Sequence, residues 1–270
     1  MPELAEVEFY RKQWDCGLRQ IVTRVALHKG KRLFRDTGTE RLAVRLLSRR
    51  LVGSEARAKQ MLFRFSGAGA KSPSLWLGVH LGMTGRLSVA HANFKPGKHD
   101  HLVLFQKRQA LVLTDARMFG RVRLYEAAEP PGWWTALPPA VTSEDFTPEL
   151  LAEFCKRRAR LAVKAALLVQ TRFPGVGNWM ADEILWQARI DPRQLCGKLS
   201  RARITRLWEA AHEVCATAME TVGIDFSDPP RGWLYHARWS GTGRCPRDER
   251  PLQTATIGGR TTRWCGKCQR

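Results

Sequence analysis

Residues 126–140 read EAAEPPGWWTALPPA, with four prolines between positions 130 and 139. Proline lacks a backbone donor and clashes inside a helix, so this stretch can continue neither a helix nor a central strand. It predicts a linker over 126–142 that divides the chain into two differently patterned halves. Before it, LWLGVHL (75–81) alternates Leu75, Leu77, Val79 and Leu81 at period two, the signature of a half-buried strand. HLVLFQKRQALVLTD (101–115) places two apolar runs around Lys107-Arg108-Gln109, which reads as a hairpin. KQMLFRF (59–65) and RVRLYEA (121–127) are further strands, and SGAGAKSP (66–73) is a Gly-rich turn. Many short strands with such turns predict a β-sandwich or barrel.

After the linker the pattern is helical. TPELLAEFCKRRARLAVKAALL (147–168) opens with Thr147 as N-cap, Pro148 at the first helical position and Glu149 in the first turn. SRARITRLWEAAHEVCATAMETVG (200–223) opens at Ser200 and carries Ile204, Leu207, Ala211, Val214 and Ala218 on one face, with Gly223 placed to end it. The layout expected is a β domain over 1–125, the linker over 126–142, a helical domain over 143–231 and a small module over 232–270. The opening MPELAEVEFY has two readings. Pro2 and the acidic residues suit the start of an amphipathic helix. Alternatively, Met1 is removed and the secondary amine of Pro2 becomes a nucleophile beside Glu3.

The 45 Lys and Arg against 25 Asp and Glu leave a net charge of +20, which favours a polyanionic partner. No apolar run reaches eighteen residues, so no membrane span is expected, and the N-terminus lacks a signal-peptide pattern, which predicts a cytoplasmic protein. Cys16, Cys155, Cys196 and Cys215 are scattered and read as reduced thiols.

Cys245, Cys265 and Cys268 cluster instead. Cys265-x2-Cys268 has zinc-knuckle spacing, and sixteen residues separate it from Cys245-x2-Asp248. Asp248 stands where a fourth thiolate would close a tetrahedral zinc site, and His236 is the other candidate for fourth ligand. The intervening TIGGRTTRW (256–264) would project Arg260 and Arg263 toward a nucleic-acid backbone. GVGN (175–178) precedes a helical run, either as a phosphate cradle or as a tight turn. HLGMTGRL (80–87) and DARMFG (115–120) put Met83, Arg117 and Phe119 on loop tips, as packing residues or as wedges that enter a base stack. Lys59 in ARAK and the basic KHDH (98–101) have no single reading on their own.

Together and in this order, Pro2-Glu3, ARAK, HLGMTGRL, KHDH, DARMFG, GVGNWMADEIL and GGRTTRWCGKCQ resemble the formamidopyrimidine/endonuclease VIII family of DNA glycosylases from end to end. The resemblance implies an α+β protein: an N-terminal β-sandwich with a leading helix, a helix–two-turn–helix domain and a C-terminal β-hairpin zinc finger. It implies base-excision repair of double-stranded DNA carrying oxidised bases or abasic sites, by a monomer that never meets a membrane. Pro2 would attack the sugar C1′ and form a Schiff base that drives β,δ-elimination, with Glu3 as general acid–base and Glu6 in support. Lys59, Asn178 and Arg260 would hold the phosphates flanking the lesion, with Lys164 beside them. Met83, Arg117 and Phe119 would fill the void left by the flipped nucleotide. Zn2+ would sit on Cys245, Asp248, Cys265 and Cys268.

Two departures stand out. Ala5 replaces the family's second proline at a position alanine tolerates well, and Asp248 replaces a thiolate. The short GIDFSDPPRGW (223–233) has no room for a long base-capping loop, and with LYHARW it predicts an endonuclease VIII-like preference: oxidised pyrimidines, hydantoins and abasic sites. Met83 and Phe119 point instead to the formamidopyrimidine and 8-oxoguanine branch. Two other classes compete: a non-catalytic binder of damaged DNA, and a basic zinc-finger protein of ribosomal or chromatin type.

Overall fold

A computed structural model describes residues 1–66, 69 and 72–270, so half of the Gly-rich turn expected at 66–73 lies outside the described residues. The chain forms two compact units, Met1–Pro2 with Glu6–Leu137, and Glu3–Ala5 with Pro138–Arg270. Helix α1 (Leu4–Lys12) thus has its first two residues in the second unit and the rest in the first.

Period-two alternation in the first unit produces two four-stranded antiparallel sheets. One runs β1 (Arg24–Leu27), β6 (Asp100–Phe105), β7 (Gln109–Thr114), β5 (Arg86–His91), and the other β2 (Leu51–Arg57), β3 (Gln60–Phe65), β4 (Ser74–His80), β8 (Arg121–Ala127). Alternate residues of both sheets share one core: Met61, Phe63 and Phe65, Leu75, Leu77 and Val79, Leu102 and Leu104, and Leu111 and Leu113 are all buried there. Two sheets closing over one apolar layer make a β-sandwich. The hairpin expected around Lys107 turns at Lys107-Arg108, with the Gln106 amide donating to the Gln109 carbonyl at 2.8 Å. Helix α2 (Thr39–Leu46) adds Leu42 and Leu46 to the core.

The stretch read as a linker is more structured than its prolines predict. Gly132–Thr135 form a helical turn, α3, and Trp134 is buried with Leu62 and Trp76 on the outer face of the second sheet. Gly78 makes room for this: a Cβ there would lie 2.6 Å from the Trp133 ring. Burial of two indoles outweighs the local preference for loop.

In the second unit, α4 (Pro148–Arg157) starts as predicted, its first turn capped by the Thr147 hydroxyl, which accepts from the Leu150 amide at 3.3 Å. Thr147→Ala is expected to lower unfolding free energy by about 1 kcal/mol in urea titrations. The helical run does not continue to residue 168. It breaks at 158–162, where Ala162 is extended and bridges Leu195, and it resumes as α5 (Val163–Leu167). Helix α6 (Asn178–Gln187) follows the GVGN turn, and the Ser200 hydroxyl caps α7 (Arg201–Glu220). Gly223 does not end α7: the reversal falls at Thr221, Gly223 lies inside α8 (Val222–Asp225), and Phe226 takes the left-handed capping position at φ +65°. A short α9 (Leu234–Ala237) leads to the hairpin of β9 (Gln253–Ile257) and β10 (Arg260–Trp264). Among the described residues, no helix is long and apolar enough to cross a membrane.

Candidate active site and metal centre

Glu3 is 3% exposed, and its carboxylate takes the N-terminus of α6. Oε2 accepts from the backbone amides of Gly177 (3.0 Å) and Met180 (3.2 Å), and Oε1 from that of Trp179 (3.0 Å). The first amides of a helix have no internal partners and carry partial positive charge, so an anion satisfies both needs at once. Gly177 is required by this contact, since a Cβ there would sit 2.2 Å from the Glu3 Cδ. The GVGN turn therefore cradles a carboxylate of this same chain. The Leu4 amide donates to the Gly175 carbonyl at 3.0 Å, which fixes the start of α1 to the same turn.

Asn178 opens α6, and its amide donates to the Thr261 carbonyl of β10 at 2.8 Å. Lys164, fully buried on α5, donates to the Asn178 carbonyl at 2.8 Å and pairs with Asp182. Asp182, 1% exposed on α6, also accepts from Arg238 at 2.7 Å. Burial pulls the Lys164 pKa down, opposed by the Asp182 carboxylate. This Lys164–Asp182–Arg238 network ties α5, α6 and the segment after α9 together. Sequence reasoning missed Asp182 and Arg238; the signal was an acidic pair inside the apolar run NWMADEILW. Gly258 and Gly259 turn the β9–β10 hairpin at φ +59° and +74°, and Gly258 packs so tightly on α5 that a Cβ would lie 2.7 Å from that of Ala165. Arg260 is exposed beside this tip. Arg263, expected to project like Arg260, is half-buried and donates to the Ser240 carbonyl.

In the first unit, Pro2 is half-buried and Lys59 is 7% exposed. Lys59 sits in the two-residue turn between β2 and β3, where Arg57 pairs with Gln60. Ala58 in that turn has φ +55°, a left-handed conformation that costs an alanine roughly 1–2 kcal/mol. Met83, Arg117 and Phe119 come from two loops that touch: a Cβ on Gly82 would lie 2.4 Å from the Phe119 carbonyl carbon. Met83 is 36% and Phe119 41% exposed, and the Arg117 guanidinium lies 4.9 Å from the Phe119 ring centre. The sequence-predicted trio is one surface cluster. Glu6 is half-buried on α1.

His80, at the end of β4, accepts from the Gly82 amide at 3.0 Å through Nδ1. Burial, then the nearby Lys59 and Arg123 charges, pull its pKa down to about 4. The unfolded chain therefore binds the extra proton first as pH falls from about 6.5, and the folded state loses stability down to about 4. The full loss approaches ~3 kcal/mol. His80→Asn, which keeps an acceptor for Gly82, is expected to flatten that acid limb in thermal melts at pH 7 and pH 4.

The four ligand atoms of Cys245, Asp248, Cys265 and Cys268 lie within 4.8 Å of one another. Cys245 and Cys268 sulfurs are 3.8 Å apart, and Cys265 Sγ lies 3.4 Å from Asp248 Oδ2. Metal–sulfur bonds of ~2.3 Å in a tetrahedron put sulfurs about 3.8 Å apart, so the set fits an ion. The Trp186 indole donates to Cys245 Sγ at 3.3 Å, the outer contact that orients a thiolate ligand. The cluster brings Asp248 and not His236 to the three thiols; the His236 ring bonds the Pro229 carbonyl at 2.8 Å. Asp248→Cys would supply the softer ligand zinc prefers. It is expected to slow metal loss to a chelator, read with a colorimetric zinc indicator.

The formamidopyrimidine-DNA glycosylase N-terminal domain family matches residues 1–122, and the formamidopyrimidine-DNA glycosylase H2TH domain family matches residues 137–228. Formamidopyrimidine-DNA glycosylase from Thermomicrobium roseum is 34% identical, over 100% of this chain and 99% of that protein. The Stutzerimonas stutzeri protein of the same name is 35% identical over the whole of both chains. A solved complex of wild-type Lactococcus lactis Fpg with DNA containing an oxidised pyrimidine superimposes with a TM-score of 0.87, at 26% identity over the full length of both chains. The chain belongs to the formamidopyrimidine-DNA glycosylase and endonuclease VIII family. It is an enzyme of the DNA glycosylase and abasic-site lyase class, which removes the ribosomal and chromatin readings. The two curated relatives carry the formamidopyrimidine name, so the endonuclease VIII-like preference gains nothing from them.

Proposed function

We propose that this enzyme excises oxidised bases from duplex DNA through the amine of Pro2, exposed when Met1 is removed. The observation that carries this reading is the Glu3 carboxylate, one residue away, held by three amides of α6. Pro2 attacks C1′ of the damaged nucleoside, and the base departs with the C1′–N bonding electrons and the proton lost by the amine. The nitrogen lone pair then expels O4′, which takes up a proton as the sugar ring opens, leaving an iminium at C1′. A secondary amine suits this, because an unperturbed α-amino group titrates near ~7.7–8.0 and is partly neutral at working pH. Glu3 moves protons at the sugar while its carbon stem stays fixed, and the iminium acidifies the sugar so that the 3′ and then the 5′ phosphate leave. Lys59, Asn178 and Arg260 hold flanking phosphates, and Met83, Arg117 and Phe119 enter the duplex. Zinc on Cys245, Asp248, Cys265 and Cys268 keeps the hairpin that carries Arg260 folded; it takes no part in the chemistry.

The relatives' name, with Met83 and Phe119, favours ring-opened and oxidised purines as the lesion. The short segment 223–233 favours oxidised pyrimidines as a second reading. The enzyme acts as a monomer, in the compartment that holds the DNA. Single-turnover excision from duplexes carrying a formamidopyrimidine, 8-oxoguanine or thymine glycol tests this. Fast release of the first two supports the purine reading, and fast release of thymine glycol alone supports the second. Tight binding without release of any base would make the protein a damage binder only.

A further inference from the structure

The KHDH stretch at 98–101 has no part in the chemistry above, yet its second histidine is among the most buried polar residues of the sandwich. His101 is 1% exposed, and its Nε2 lies 3.0 Å from the Asp115 carbonyl oxygen. A carbonyl only accepts, so Nε2 carries the proton. Nδ1 faces Nδ1 of His28 at 3.3 Å, the two rings meeting edge to face. Burial chiefly lowers the His101 pKa, with the His28 and Lys31 charges acting the same way against the Asp115 bond and the Asp115 carboxylate. In a neutral ring protonated at Nε2, Nδ1 of His101 is the acceptor and His28 donates to it.

Asp115 is fully buried and knots the two exposed loops together. Its Oδ1 accepts from the Thr84 hydroxyl at 2.7 Å and from the Arg117 amide at 3.3 Å, and its Oδ2 from the Gly120 amide at 2.8 Å. The Asp115 amide donates to the His99 carbonyl at 3.0 Å. Met83 lies beside Thr84, and Arg117 and Phe119 lie within the Asp115–Gly120 turn. Every one of these loop anchors passes through Asp115, and His101 fixes the Asp115 peptide from below.

We propose that His101, oriented by His28, is a positioning residue for Met83, Arg117 and Phe119, setting the geometry in which they replace an extruded nucleotide. This rests on the wedge role given to those three side chains above. Displacing a positioned group by about 1 Å costs on the order of a hundredfold in rate. The test compares wild type with His101→Phe, His101→Gln, His28→Ala and Phe119→Ala. The readouts are excision from a lesion duplex, fluorescence of 2-aminopurine placed opposite the lesion, strand cleavage at an abasic site in a single strand, and melting temperature.

His101→Phe is expected to lose about tenfold to a hundredfold in duplex excision, with a weaker 2-aminopurine signal and unchanged single-strand cleavage. His101→Gln, which keeps a donor toward Asp115, recovers most of both. His28→Ala, at a half-buried position, shows the same split more weakly and keeps the proposal testable if His101→Phe does not fold. The proposal is overturned if Phe119→Ala lowers duplex excision and fluorescence while the folded His101 and His28 variants do not. A parallel fall in duplex and single-strand cleavage would also overturn it, by reducing His101 to a structural residue. If Phe119→Ala itself changes nothing, the wedge reading fails first.

Discussion

Gly177→Ala is expected to reduce base excision by about a hundredfold or more. The added methyl group would lie 2.2 Å from Glu3 Cδ and 2.4 Å from Oε1, so the carboxylate must leave the α6 N-terminus. Three amides then lose a charged acceptor in a buried setting, where each such bond is worth ~1.5–3 kcal/mol. Stability falls along with rate, because Glu3 also anchors the start of α1 to this turn. Glu3→Gln separates the two effects. It keeps the side chain's size but turns one acceptor oxygen into a donor that faces amide donors, and it removes the proton acceptor outright. Its excision rate should fall at least as far as that of Gly177→Ala, with a smaller drop in melting temperature. Equal excision by wild type and Gly177→Ala would show that Glu3 need not be held by α6.

Asp182→Ala is expected to destabilise the second unit by ~3–5 kcal/mol, the cost of leaving buried cations without their anion. Lys164 is fully buried and Arg238 is 6% exposed, and both pair with this one carboxylate. The Arg263 amide also approaches Asp182 Oδ2, at 3.4 Å, so the loss reaches β10. Affinity for lesion DNA should fall with stability, since Lys164 also bonds the Asn178 carbonyl and Asn178 bonds the hairpin. Changing Lys164→Met together with Asp182→Asn removes one buried charge of each sign and should recover part of the stability. Urea titration of the singles and the double measures the coupling. Additive losses would mean that the two residues do not depend on each other.

Signals written in neighbouring residues were legible in the sequence. Period-two alternation located β3, β4, β6 and β7, and Thr147 and Ser200 marked helix starts because a cap acts within three residues. The C-x2-C and C-x2-D pairs located four residues that converge as a candidate metal site, because a hairpin brings its two ends together whatever lies between. What the sequence hid was set by distant partners. Ala162 sits in a helical pattern, yet its backbone bridges Leu195, and that bridge breaks the helix. Gly223 has the residue type of a helix stop, but the backbone reverses two residues earlier. Trp133 and Trp134 lie among prolines and still pack, because Gly78 leaves a hollow on the sheet. The role of Glu3 could be inferred only from resemblance; its three amide partners lie more than 170 residues further along the chain. Asp182 showed in the sequence only as half of an acidic pair inside an apolar run, and Asp115 only as the first residue of a loop; the role of each is defined by the groups that converge on it.

If Pro2 is the nucleophile, sodium borohydride will fix it to the sugar it attacks. Purified protein, with loss of Met1 verified by mass spectrometry, is incubated with an abasic-site or 8-oxoguanine duplex and sodium borohydride. A Pro2→Gly variant and a variant that retains Met1 are treated in parallel. A covalent protein–DNA adduct is expected with the processed wild type, mapped by peptide mass to Pro2, and little or none with the protein that keeps Met1. An adduct of undiminished yield from the Met1-retaining protein, or one mapped to a lysine, would contradict Pro2 as the nucleophile.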